Sequence, residues 1–283
     1  MPAIRIAIVD DSSFSIAFIR DILEQNGFDV VGEAGSLEEV RRVIRETKPD
    51  LVTMDMTLPG TDGLECTRAV HEIDENIKVI VVSSMMDDEI VKEAKQNKVS
   101  AYLQKPVDAD ALVSAINRIL ERDKLYSFLN SHYVASFKEA LLNGMNSMTK
   151  TLLTYKDEYV SKGEYKSKGM SVIVGAIGAF SGRMLIDFSK ETAAALAAAM
   201  LKKVSVGNDD ITAALGEFAN IVCGNACSML NRQNIALGLR IAPPSIFYGD
   251  KISISAPDFS TFGVLAQTAF GDILLNIGFK KGE

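Results

Sequence analysis

Across residues 1–124, short apolar runs alternate with amphipathic segments, and this alternation constrains the fold more than any other feature of the chain. The runs at 4–9 (IRIAIV), 28–32, 50–54 (DLVTM), 77–82 (IKVIVV) and 101–104 have the length and apolar character of strands. Segments at about 12–26, 36–47, 62–74, 87–98 and 108–123 carry apolar residues at helical spacing. Strict strand–helix alternation predicts an α/β unit, a doubly wound five-stranded parallel sheet with helices on both faces. In such sheets ligands bind at the carboxyl ends of the strands, where the strand order reverses. Asp10 and Asp11 follow the first run, Asp55 the third, Ser83 the fourth and Lys105 the fifth. Polar residues far apart in sequence are therefore expected on one rim.

Three carboxylates held together repel one another, so a divalent cation is the natural resident. Mg²⁺ suits a few carboxylates, waters and a phosphate oxygen. With Asp10 and Asp11 neutralised, Asp55 can attack a phosphodonor and form a mixed anhydride. Lys105 then pairs with the phosphoryl oxygens, and Ser83 donates a hydrogen bond to one of them. A single aspartate at a strand end is more often a loop former. Joint spacing of all five residues is far more specific.

These residues carry a resemblance. Asp10-Asp11, the segment MDMTLPGTDG with Asp55 four residues before Pro59, VVSS with Ser83, and Tyr102 three residues before Lys105-Pro106 resemble the CheY-like response-regulator receiver family over residues 1–124. The resemblance implies an Asp55 phosphoacceptor, Mg²⁺ bound through Asp11 and Asp55 beside Asp10, and a Ser83/Tyr102 switch pair. It also implies a cis Lys105–Pro106 peptide and a cognate histidine kinase as partner. In the switch, Ser83 moves toward the phosphoryl group and vacates space into which Tyr102 rotates.

At 283 residues the chain is long for one core and comfortable for two domains, expected as 1–124 and 125–283. Its 47% hydrophobic and 24% charged content is that of an ordinary globular protein. No apolar run approaches the roughly 18 residues needed to span a bilayer. The N-terminus lacks the basic flank and cleavage site of a signal peptide, so a cytoplasmic protein without a membrane partner is expected. Cys66, Cys223 and Cys227 form no disulfide framework. Residues 1–124 carry 15 Lys+Arg against 24 Asp+Glu, and residues 125–283 carry 15 against 13. Neither half clusters the cations that phosphate-backbone contacts need, which excludes nucleic acid as an expected partner.

The junction at 123–127 (DKLYS) has no Pro or Gly, so the last receiver helix is expected to run almost directly into a helix over 126–150, a stiff coupling. The polar stretch 156–169 predicts a loop. Beyond it, strands are expected at 171–179 and 183–188, helices at 190–203 and 209–231, and strands near 237–241, 251–255, 261–269 and 272–280. GRMLIDF from Gly182 and GDILLNI from Gly271 are a faint repeat, which predicts a pseudo-symmetric sheet in an α+β domain.

The segment 209–231 (DDITAALGEFANIVCGNACSMLN) carries the other unusual signal. Asp209 and Asp210 suit a helix N-terminus. Ile211, Ala214, Leu215, Phe218, Ile221, Val222 and Met229 gather on one apolar stripe at 3.6 residues per turn. Glu217 and Asn220 fall outside it, side by side, with small Ala213, Gly216 and Gly224 around them. An acid and an amide on a flat helical surface suit docking of something bulky. An isolated Glu-x-x-Asn is more often a solvated face. Two interior glycines, each costing up to ~1 kcal/mol against alanine, call for a packing or access reason. Asn225 falls in the stripe and is expected as a buried amide. Cys223 and Cys227, with no histidine or second pair nearby, are expected to be small packing residues.

The stretch LGEFANIVCGNA (Leu215–Ala226), the APP at Ala242–Pro244 and the glycine-led strands resemble the CheC/CheX/FliY chemotaxis phosphatases, CheX most closely, over about residues 126–283. The resemblance implies hydrolysis of aspartyl phosphate on a CheY-like receiver partner. In it, Glu217 pairs with the receiver's active-site lysine and Asn220 orients the attacking water, without a covalent intermediate. It further implies one site per subunit, since 190–203 has no Glu-x-x-Asn, and a homodimer formed through the sheets. Ala213 stands where the family often has Asp or Ser. That departure keeps a second reading open, a response regulator whose C-terminal domain only dimerises or binds a partner.

Overall fold

Each apolar run of the N-terminal stretch becomes a strand in the computed structural model, which describes residues 3–84, 92–94, 96–161, 163–249 and 252–281. Strands β1 (Arg5–Val9), β2 (Asp29–Ala34), β3 (Leu51–Asp55), β4 (Lys78–Ser83) and β5 (Ala101–Gln104) form one sheet. Their order is β2-β1-β3-β4-β5, every pairing is parallel, and the order reverses at β1 and β3. Helices α1 (Ser13–Gln25), α2 (Leu37–Thr47) and α3 (Gly63–Ile73) start at Ser12, Ser36 and Asp62. Each of these side chains accepts a first-turn N–H, satisfying a donor the helix leaves unpaired. The helix expected at 87–98 falls largely outside the described residues.

The sheet is buried on both faces. Ala7, Val9, Val52, Met54, Val79 and Val81 pack against Val40, Val43, Ile44, Cys66 and Val70. Ile6, Ile8, Leu51, Ile80 and Val82 pack against Ile19, Ile22, Leu23, Leu112 and Ile116. Two-sided burial is why these strands read as unbroken apolar runs rather than as alternation.

The chain divides into two compact units between Asp123 and Lys124. The helices expected at 108–123 and 126–150 are one helix, α4 (Ala109–Thr149), with nothing at the junction to break it. Leu112, Ala115, Ile116 and Ile119 on α4 belong to the first core, and Leu129, Phe137, Leu141 and Met145 to the second.

The second unit holds β6 (Leu153–Ser161), β7 (Gly169–Ile177), β8 (Gly182–Ser189), α5 (Lys190–Leu201), α6 (Asn208–Gln233), β9 (Arg240–Ile241), β10 (Ser245–Tyr248), β11 (Thr261–Thr268) and β12 (Gly271–Phe279). Its sheet runs β9-β7-β8-β12-β11-β6, all antiparallel, with β10 also on β7. Val172, Val174, Met184, Ile186, Ile273, Leu275 and Ile277 share one core with Phe137, Leu196, Phe218 and Val222. This is an α+β layer. The repeat is real: Ile186 pairs with Leu275, the residue at the same place in the second copy, so a local twofold passes through that rung.

One expectation is overturned here. Most of the polar stretch 156–169 is strand, its first part belonging to β6 and residues 165–166 pairing with 253–254. β6 is an edge strand whose residues beyond Tyr155 are largely exposed, so it keeps a polar composition that reads as loop.

Asp187 of β8 is buried and pins this region. Its carboxylate accepts hydrogen bonds from Tyr165 Oη (2.8 Å), Ser167 Oγ (2.6 Å), the Lys168 N–H (3.0 Å) and Ser171 Oγ. Asp187→Ala leaves several donors orphaned and is expected to destabilise the second unit by about 3 kcal/mol. Urea unfolding measures this, and a loss below about 1 kcal/mol would show that other contacts hold the segment.

Candidate functional site

The topology delivers the predicted rim. Asp10 follows β1, Asp55 ends β3, and both are buried, while Asp11 is exposed. Carboxylate oxygens of Asp10, Asp11 and Asp55 all lie within 4.8 Å of one another. Lys105 follows β5 and reaches across, its Nζ 2.8 Å from Asp10 Oδ2 and 3.0 Å from Asp55 Oδ2. The Ser12 N–H donates to Asp10 Oδ1 at 2.9 Å, and the Thr57 N–H to Asp55 Oδ1 at 3.4 Å.

Burial pushes the Lys105 ammonium down, but its hydrogen bonds to Asp10 and Asp55 outweigh this and hold its pKa above the ordinary value. One ammonium faces three carboxylates, so negative charge is in excess. A hard divalent cation with oxygen preference fits that donor set. Among the described residues this is the one grouping of His, Cys, Asp or Glu close enough to hold a metal.

Ser83 is buried at the end of β4, and its carbonyl accepts the Lys105 N–H at 2.8 Å. Tyr102 is half-buried in β5, in register with Val81. The Lys105–Pro106 peptide is cis, as the receiver resemblance implied.

Gly63 is a site residue that the sequence reading did not single out. Its N–H donates to the Met56 carbonyl at 2.9 Å. A Cβ there would press on the Asp55 carbonyl oxygen and lie 2.9 Å from Met56 Cα. Only glycine lets α3 close onto the end of β3. The one signal in the sequence is the glycine after Asp62, at the helix start. Gly63→Ala is expected to cost the first unit about 1–3 kcal/mol and to slow phosphoryl uptake. An unchanged unfolding midpoint would show that the strand end yields freely.

In the second unit, α6 starts at Gly207 without a side-chain cap. Asp209 and Asp210 do not cap it; they lie inside the first turn, where the helix dipole favours them. Asp210 pairs with Lys203 at 2.9 Å. Ile211, Ala214, Leu215, Phe218 and Val222 are buried as expected, whereas Ile221 and Met229 are half-buried. Cys223 and Cys227 are buried packing residues beside Ala219, Ala226 and Leu230. Glu217 is exposed and Asn220 half-buried, and among the described residues neither has a hydrogen-bond or ion-pair partner. Ala213, one turn before Glu217, is exposed.

Two expectations fail on α6. Asn225 is exposed, not buried. At about 100° per residue it falls only about 80° round the helix from Glu217, on the solvent side. Gly216 is also not part of a bare surface. It is buried, with Ile246 Cδ1 3.1 Å and Pro244 Cγ 4.0 Å from where its Cβ would stand. Gly224 faces Ile241 Cδ1 at 3.5 Å in the same way. These glycines serve close packing of α6 on the segment 240–246. The Ala242 N–H ties that segment to Gly175 O of β7 at 2.8 Å.

No helix among the described residues is long and apolar enough to cross a membrane. A family model described as the response regulator receiver domain matches residues 6–117, and one described as chemotaxis phosphatase CheX matches residues 170–266. The chemotaxis protein CheY of Bacillus subtilis is 40% identical over 116 residues, covering 41% of this chain and 97% of that protein. The CheY of Thermotoga maritima is 36% identical over 115 residues, covering 41% and 96%. Among solved structures, a chemotaxis protein CheX from Desulfovibrio desulfuricans has a TM-score of 0.48 and 24% identity, covering 52% of this chain and 99% of that one.

Proposed function

Because the chain belongs to the response-regulator receiver family through its first unit and carries a CheX domain in its second, we propose that it is phosphorylated on Asp55 and hydrolyses aspartyl phosphate on a CheY-like receiver. Asp55 is the nucleophile in this reading. A carboxylate oxygen attacks phosphorus, the donor's leaving group departs, and an acyl phosphate forms. Mg²⁺ bound through Asp10, Asp11 and Asp55 would neutralise charge on the phosphoryl oxygens. Lys105 exchanges its Asp55 contact for a phosphoryl oxygen, and Ser83 and Tyr102 relay the change to the surface. A histidine kinase as donor is what the receiver resemblance implies, and the cytoplasm is the proposed setting.

The hydrolytic half of the reading rests on one observation: Glu217 and Asn220 stand one turn apart on α6, reachable from outside and without partners of their own. Glu217 offers a carboxylate to the receiver's lysine. The Asn220 amide oxygen accepts a hydrogen bond from water and aims it at phosphorus, and the receiver's carboxylate leaves. An amide suits this task because it orients water without changing charge. A homodimer is part of the reading, carried by the CheX resemblance. The test is direct. CheY of Bacillus subtilis loaded from radiolabelled acetyl phosphate should lose its label faster when this chain is added. Equal decay with and without the chain would overturn the hydrolytic half.

A further inference from the structure

The contact of Gly216 with Ile246 and Pro244 has a consequence for the residues beside it. A glycine inside a helix weakens it relative to alanine, so its presence on the buried side of α6 calls for a compensating gain. Without a Cβ, α6 seats directly on the 240–246 segment. That segment has little freedom to retreat. Ile241 pairs with Ala176 and Ile246 with Val172, so β7 holds it on both sides of Pro243-Pro244. The two prolines restrict its backbone further.

We propose that Gly216 is a positioning residue for the hydrolytic reaction: its missing side chain sets how deeply α6 seats on Ile246 and Pro244, and so where Glu217 and Asn220 stand. The proposal rests on the reading of Glu217 and Asn220 as the hydrolytic pair. Gly216 precedes Glu217 in the chain and lies one turn before Asn220. A methyl group at 216 would stand 3.1 Å from Ile246 Cδ1, so either the Ile246 side chain or α6 must give by a few tenths of an ångström. Because the backbone of that segment is anchored on β7, the part of the shift that the Ile246 side chain does not absorb falls on the helix. Water aimed in line at phosphorus is sensitive to displacements on this scale.

The experiment measures label loss from phosphorylated Bacillus subtilis CheY with the full chain carrying Gly216→Ala, Ile246→Val, both, or Glu217→Ala. Gly216→Ala is expected to lower kcat about tenfold with KM unchanged and the second unit's unfolding midpoint unchanged or raised. Ile246→Val removes the opposing methyl, and in combination with Gly216→Ala is expected to return kcat to near wild type. A Gly216→Ala chain at wild-type kcat overturns the proposal, as does a loss that Ile246→Val fails to recover or a loss that tracks a lowered midpoint. Glu217→Ala separates the two readings. If it is slow while Gly216→Ala is not, only the positioning role falls. If it keeps the wild-type rate, the hydrolytic reading falls and takes this one with it.

Discussion

Glu217→Ala is expected to reduce acceleration of aspartyl-phosphate loss by about 10²-fold or more, the scale of removing one group that acts at the transition state. The two halves of the pair should differ in how they fail. In the proposed reaction Glu217 engages the partner's lysine, so its loss should raise KM as well as lower kcat. Asn220→Ala removes only the water's acceptor. It should lower kcat by a similar factor and leave KM for the phosphorylated receiver near wild type. Initial rates of label loss over a range of phosphorylated CheY give both parameters. Both side chains lie on the outer side of α6 without partners, so neither substitution should move the unfolding midpoint by more than about 0.5 kcal/mol. Wild-type rates in both variants would remove the pair from the mechanism.

Asp55→Asn is expected to take up no phosphoryl group at all. The amide nitrogen that replaces one carboxylate oxygen has no nucleophilic lone pair, and the remaining oxygen carries no charge. The same variant keeps the Lys105–Asp10 pair at 2.8 Å, so the rim should stay assembled and the first unit folded. Labelling from acetyl phosphate, read by gel or intact mass, tests this. EDTA should give the same loss in the wild-type chain, because three carboxylates facing one ammonium need a further cation before an anionic donor can approach. Label on the Asp55→Asn chain would move the acceptor elsewhere.

The two sites were not equally legible. Asp10, Asp11, Asp55 and Lys105 were readable because a parallel sheet buried on both faces puts every strand end on one rim. Knowing where each strand stops was enough. Gly63 was not, because its role lies in a backbone approach to Asp55 that no composition rule reports. On α6 the apolar stripe was readable from spacing, and so was the outward setting of Glu217. Its flanks were misread. Gly216 looked like open surface because a small residue is silent about whether another segment covers it. Asn225 looked buried because the stripe was drawn too far round the helix.

The residue order by itself determined the five strands of the first unit, the start points of the first helices, the rim of acids and lysine, and the repeat of 182–188 in 271–277. These follow from local periodicity, capping and burial, which each segment carries within itself. Only the tertiary structure decided that a polar stretch is the edge strand β6, that Asp187 collects its donors from residues 165–171, and that Gly63 and Gly216 are points of close approach. Those outcomes depend on which distant segment arrives at a given surface, and the free energy of that arrival belongs to both partners at once.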